Sequence, residues 1–104
     1  MAQGKLASVL INSVNTYTQI YQVPVGFSAA VTVNICNQGT SNAKIRLAIP
    51  SSTTVNPVDV IEYDCEIYPS DSFQRNLVLS SGDYIYVRSN QGSVSVNVWG
   101  VTEQ

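Results

Sequence analysis

Alternation of apolar and polar residues across positions 27–49 limits what this chain can fold into. Val31, Val33 and Ile35 alternate with Thr32, Asn34 and Cys36. After the polar run Asn37-Gln38-Gly39-Thr40-Ser41-Asn42, the residues Ala43, Ile45, Leu47 and Ile49 alternate with Lys44, Arg46 and Ala48. Successive side chains of an extended backbone point to opposite sides, so a period of two marks a strand with one buried face. Two such runs joined by a Gly-containing polar loop predict a β-hairpin. A lone hairpin cannot bury its apolar face, so further strands must cover it.

Candidates for those strands lie on both sides, at residues 5–11, 16–23, 58–68, 73–79, 84–88 and 93–101. Turn-forming clusters bound them, among them Pro24 with Gly26, Pro69-Ser70-Asp71-Ser72, Ser80-Ser81-Gly82-Asp83 and Ser89-Asn90-Gln91-Gly92. Valine and isoleucine supply 23 of the 104 residues and leucine only 5, a β-branched bias that favours strands. The expected fold is all-β, an antiparallel β-sandwich or jelly roll of about eight short strands, with a small closed barrel as the alternative. One domain is expected, residues 16–104, preceded by residues 1–15. Those first residues form either the sandwich's own first strand or an arm that extends a neighbour's sheet. The proline-bounded loop 50–57 is both a candidate binding surface and a plain crossover between sheets.

Charged residues make up 12% of the chain, against about 25% in ordinary soluble domains. Serine, threonine, asparagine and glutamine account for 36 positions and carry the solubility instead. A formal net charge of −2, with five basic residues spread along the chain, leaves no electrostatic footprint for nucleic acid. Lys5 precedes only a short apolar run broken by Ser8, too little for an export signal. No stretch approaches the roughly 20 apolar residues that span a bilayer. The expectation is a soluble protein made in the cytoplasm, with no nucleic-acid or membrane partner.

Catalytic chemistry is poorly provided for. Glu62, Asp64 and Glu66 alternate along one strand, which predicts an acidic cluster on one face. Strand neighbours at i and i+2 are about 6.6–7 Å apart by rise, within the range of glycosidase carboxylate pairs. No arginine, histidine or apolar pocket accompanies them to separate their pKa values. The cluster reads as a solvated strand face, with a carboxylate calcium site as a further alternative. Lys44 and Arg46 are its natural partners if the two strands lie side by side. Histidine is absent, so the serines lack that base and no zinc ligand set forms. No enzyme activity and no cofactor are expected. Cys36 falls on the polar parity of its strand, while Cys65 shares the apolar parity of Ile61, Tyr63 and Ile67. Opposite parities predict free thiols.

Aromatic residues are the better interface candidates, because Tyr, Trp and Arg dominate protein interfaces. Tyr17 and Tyr21 share a parity, as do Tyr84, Tyr86 and Arg88. Trp99 lies opposite Val94, Val96 and Val98 on the last strand. Three environments suit Trp99: a subunit contact, cover by the N-terminal segment, or a sugar-stacking platform. Tyr21, Tyr63 and Ile20 are also candidates for plain core.

Several short motifs resemble the small β-sandwich modules of tailed-phage virions. Tyr21-Gln22-Val23-Pro24-Val25-Gly26 is similar to their "Y-x-V-P-x-G" opening, and Ile35-Cys36-Asn37-Gln38-Gly39 to an "I-x-N-x-G" strand end. Ile61-Glu62-Tyr63-Asp64, the run 77–87, and Val98-Trp99-Gly100 with Glu103 match later pieces. The resemblance implies a virion structural or adhesive part: a capsid decoration (cement) protein, a neck or tail component, or a fibre tip. It also implies a symmetric homo-oligomer, often a trimer, bound to a major capsid or tail protein. No stalk-forming repeat is present, which favours decoration. A carbohydrate-binding or host-adhesion module, with a glycan as ligand, is the rival expectation.

Overall fold

The computed structural model describes residues 3–104. Among these, the chain forms β1 (Gln3–Ile11), β2 (Thr18–Gln22), β3 (Ser28–Asn37), β4 (Ala43–Ala48), β5 (Val60–Ile67), β6 (Ser72–Leu79), β7 (Tyr84–Ser89) and β8 (Val94–Glu103). A single 3-10 turn, Pro57–Asp59, precedes β5. Two four-stranded antiparallel sheets stack as a sandwich: sheet A in the order β1-β8-β3-β6 and sheet B in the order β2-β7-β4-β5. The chain changes sheet at every connection except β4–β5, the winding of an eight-stranded jelly roll.

The apolar parities expected for the central stretch are those that face the core. Val31, Val33, Ile35, Ala43, Ile45 and Leu47 are all buried, packed with Val94, Val96 and Val98 of β8 and Ile85 and Val87 of β7. The expected hairpin is not formed. β3 pairs with β6 and β8, and β4 with β5 and β7, so the two strands lie in opposite sheets.

Asn37 supplies the physical reason. Its fully buried side chain donates to the carbonyls of Ser41 (2.8 Å) and Ile67 (2.9 Å). It also accepts from Gly39 N–H (2.9 Å) and Gln91 Nε2 (3.1 Å). A carboxamide with two donor hydrogens and an acceptor oxygen is thereby fully used. The bonds tie the β3–β4 connection to β5 and to the β7–β8 turn, carrying the chain from one layer to the other.

Two bulges correct further expectations. At Asp64, φ is +52° and the β4–β5 register slips between Ile45 and Leu47. An extra residue reverses the facing of everything beyond it. Glu62 and Cys65 therefore both turn inward, opposite Leu47 and Ile45, whereas Tyr63, Asp64 and Glu66 are exposed. The acidic residues do not share one face, and Cys65 does not share a parity with the exposed Ile61 and Tyr63. A second slip, between Gln19 and Tyr21 in β2, packs Tyr21 against the core and separates it from Tyr17. Ile20 is core as expected; Tyr63, 68% exposed, is not. Cys36 faces outward and Cys65 inward, and both thiols are free.

Candidate functional site

The molecule is flattened, with principal extents of 41 × 28 × 18 Å, so the outer faces of the two sheets are its broad surfaces. Their chemistries differ.

Sheet A presents a nearly charge-free face. The register aligns cross-strand rows of outward residues: Lys5, Trp99, Thr32 and Asn76; then Ser8, Asn97, Asn34 and Gln74; then Leu10, Ser95, Cys36 and Ser72. Val101, Ala30 and Val78 make a further row. Acidic and basic side chains stand only at its margins, as Lys5 and Glu103. Ser8 Oγ donates to Asn97 Oδ1, and Thr32 Oγ1 donates to Asn76 Oδ1 at 2.8 Å. Gln38 Nε2 donates to Ser95 Oγ at 3.3 Å. The Oδ1 of Asn34 is buried without a hydrogen-bond partner among the described residues. Apolar groups break through this polar ladder, with Trp99 39%, Leu10 51% and Val78 86% exposed. Lys5 is the β1 residue paired with Trp99, and the strand leaves the indole partly open.

Sheet B presents an aromatic and cationic face. Arg46 Nε donates to Asp64 Oδ1 at 2.8 Å, and the Arg46 guanidinium carbon lies 4.1 Å from the centre of the Tyr63 ring. Arg46 also donates from Nη2 to Tyr63 Oη at 3.0 Å. The hydrogen bond from Arg46 holds the Asp64 carboxyl below its ordinary range, and the same bond raises the Arg46 pKa. Arg88 sits directly across from Arg46 on β7, its guanidinium carbon 5.9 Å from the Tyr17 ring centre. A cleft of about 350 Å³ opens here, lined by Tyr17, Arg46, Tyr63, Val55, Asn56 and Pro57 among others. The proline-bounded loop 50–57, read both as a candidate binding surface and as a plain crossover, contributes one wall. An adjoining hollow of about 150 Å³ is bounded by Asn15, Lys44, Arg46, Asp64, Arg88 and Asn90.

The six interface candidates fall on both sides of the molecule. Trp99 belongs to sheet A, whereas Tyr21, Tyr84, Tyr86 and Arg88 belong to sheet B, and Tyr17 immediately precedes β2 and lines the sheet B cleft. Tyr84 and Tyr86 have ring centres 5.9 Å apart, and the Tyr86 hydroxyl donates to Gln19 Oε1 at 3.2 Å. Tyr86 is 7% exposed, and burial pushes the Tyr21 phenol above its ordinary pKa. Arg46, Tyr63 and Asn37 were not among the candidates. The bulge that exposes Tyr63 leaves no mark in the alternation, while Asn37 stands in plain view within Ile35-Cys36-Asn37-Gln38-Gly39.

Glu62 meets Arg75 of β6 instead of Lys44 or Arg46, an ion pair between the edge strands of the two sheets. Burial, with Glu62 adding to it, raises the Cys65 thiol pKa. Among the described residues no group of three or more His, Cys, Asp or Glu side chains is placed to hold a metal ion. None of their helices is long and apolar enough to cross a membrane.

No family model matches the chain, and no curated protein matches it in sequence. Solved structures do align with it. Two are crystal structures of a pentameric capsid protein isolated from metagenomic phage sequences. Each is 18% identical, covering 93% of this chain, with TM-scores of 0.49 and 0.48. This chain spans 63% and 62% of the length of those two proteins. A third is the K3 cleaved adhesin domain of Lys-gingipain from Porphyromonas gingivalis W83, 11% identical over 91% of this chain and 70% of that one, with a TM-score of 0.46. At such identities and scores these neighbours assign no function.

Proposed function

We propose that this chain is a non-enzymatic structural protein of a phage virion, a capsid decoration protein that stands on the particle as a homo-oligomer. The observation that carries the proposal is the outer face of sheet A. Four strands present hydroxyl and amide side chains, with Trp99, Leu10 and Val78 exposed among them and charge confined to the margins. Burying such a face costs less than burying a charged one, because ions need be stripped of water only at its margins. The interior of a protein interface is likewise depleted of charge, and an exposed Trp is a common energetic anchor there. The resemblance to tailed-phage modules implies the same role and a symmetric oligomer, often a trimer. Symmetry then multiplies individually weak contacts on the shell.

Light scattering on the purified protein, together with co-sedimentation with capsids, tests this reading. An oligomer that binds capsids supports it. A monomer that ignores capsids and instead binds host glycans would establish the rival, a host-adhesion module.

A further inference from the structure

We propose that the cleft on the outer face of sheet B binds an acidic saccharide, a sugar chain carrying carboxylates. The site lies on the opposite broad face from the proposed assembly surface and does not rest on that reading.

Charge is concentrated here against the character of the whole chain. Three of the five basic residues, Lys44, Arg46 and Arg88, bound the smaller hollow, beside one carboxylate, Asp64. Glu66, the cross-strand partner of Lys44, offsets that lysine in part and itself accepts from Asn42 Nδ2 at 2.7 Å. Arg46 and Arg88 face each other directly across the β4–β7 pairing, and the single Asp64 carboxylate, paired with Arg46 and also in the fields of Lys44 and Arg88, neutralises only part of their charge. Like charges in that position are destabilising, and a bound anion relieves the repulsion. Asp64 occupies Arg46 from one side only, through Nε and a longer contact at 3.5 Å from Nη2. Arg88 forms no ion pair with any described residue.

The remaining lining selects among anions. Tyr17 and the outer side of Tyr63 offer aromatic faces to the apolar C–H face of a sugar ring. Asn15, Asn56 and Asn90 provide amides around the rim for its hydroxyls. A planar carboxylate matches the guanidinium fork. The cleft is open to solvent along the sheet, as an extended chain requires. Two of the backbone's left-handed non-glycine residues, Asn15 (φ +54°) and Asp64 (φ +52°), sit at the hollow, and such residues gather at ligand sites.

The test is an NMR titration of the full chain with trigalacturonate, against a neutral galactose trisaccharide and sodium sulfate. The expected result is saturable perturbation of Tyr17, Arg46, Tyr63 and Arg88. Affinity should fall about tenfold for the neutral sugar and for Arg88→Gln, and fall also for the exposed-site variant Tyr63→Ala. Val25→Ser, an exposed position in the β2–β3 turn outside the cleft, should bind trigalacturonate as the wild type does. Absence of perturbation, equal binding of the neutral sugar, or sulfate binding as tightly as trigalacturonate would overturn the proposal. So would undiminished binding by both folded sheet B variants.

Discussion

Two asparagines three positions apart on β3 set opposite terms for the fold. Asn37 uses its whole carboxamide to join three chain segments inside the protein, so Asn37→Ala strands the buried Ile67 carbonyl and removes three part-buried bonds at once. A loss of about 3 kcal/mol or more is expected from chemical denaturation. Asn34 keeps a buried acceptor without a partner among the described residues. Asn34→Val should leave stability unchanged or raise it by about 1 kcal/mol, and a clear loss would show that its carboxamide is better satisfied than it looks. Asp64 behaves differently again. Its folded pKa is depressed, chiefly by the hydrogen bond from Arg46. Its contribution is therefore present above the ordinary aspartate value near 3.9 and lost as pH falls through the lower folded value. The stability gap between wild type and Asp64→Asn should shrink as pH drops below about 4, since Asn tolerates the same left-handed backbone. A gap independent of pH would contradict that assignment. None of these three roles shows in the alternation of residue types, which reports facing but not partners.

Strand edges explain which associations the fold resists. Unpaired edges invite other chains, and inward-pointing charges, bulges and short strands are the usual protection. β5 carries the bulge at Asp64 and the inward Glu62; β6 carries Arg75, which meets Glu62 across the sandwich. β1 is irregular between Lys5 and Ala7, and β2 is only five residues long with its own bulge. The Glu62–Arg75 pair is too solvated to add more than about 1 kcal/mol. Its removal as Glu62→Val with Arg75→Val should therefore leave the melting temperature nearly unchanged. Concentration-dependent aggregation should nevertheless rise in light scattering, and an unchanged aggregation rate would refute the protective role. Period-two runs located every strand, because each has a core-facing side. The sequence did not reveal that β3 and β4 part company, because hairpin and crossover share the same local pattern. The decision rests on Asn37, Ile67 and Gln91, residues far apart in the chain.

Across the whole molecule, the two broad faces differ in chemistry. One carries charge only at its margins, as Lys5 and Glu103, and is the face proposed to be covered; the other carries Lys44, Arg46 and Arg88 beside exposed aromatic rings. The outward facing of Trp99 was legible because its parity opposed three valines. Grouping it with the tyrosines was not possible from the chain alone, since sheet membership is a long-range fact. The only tryptophan in the chain lies on the face proposed to be covered. Its fluorescence, followed on the native protein from dilute solution to assembly concentrations and then on capsids, is the most direct measurement. The account predicts that the emission shifts to the blue and escapes acrylamide quenching as light scattering reports the oligomer. An oligomer, or a capsid-bound form, in which Trp99 stays as quenchable as in the isolated subunit would contradict it.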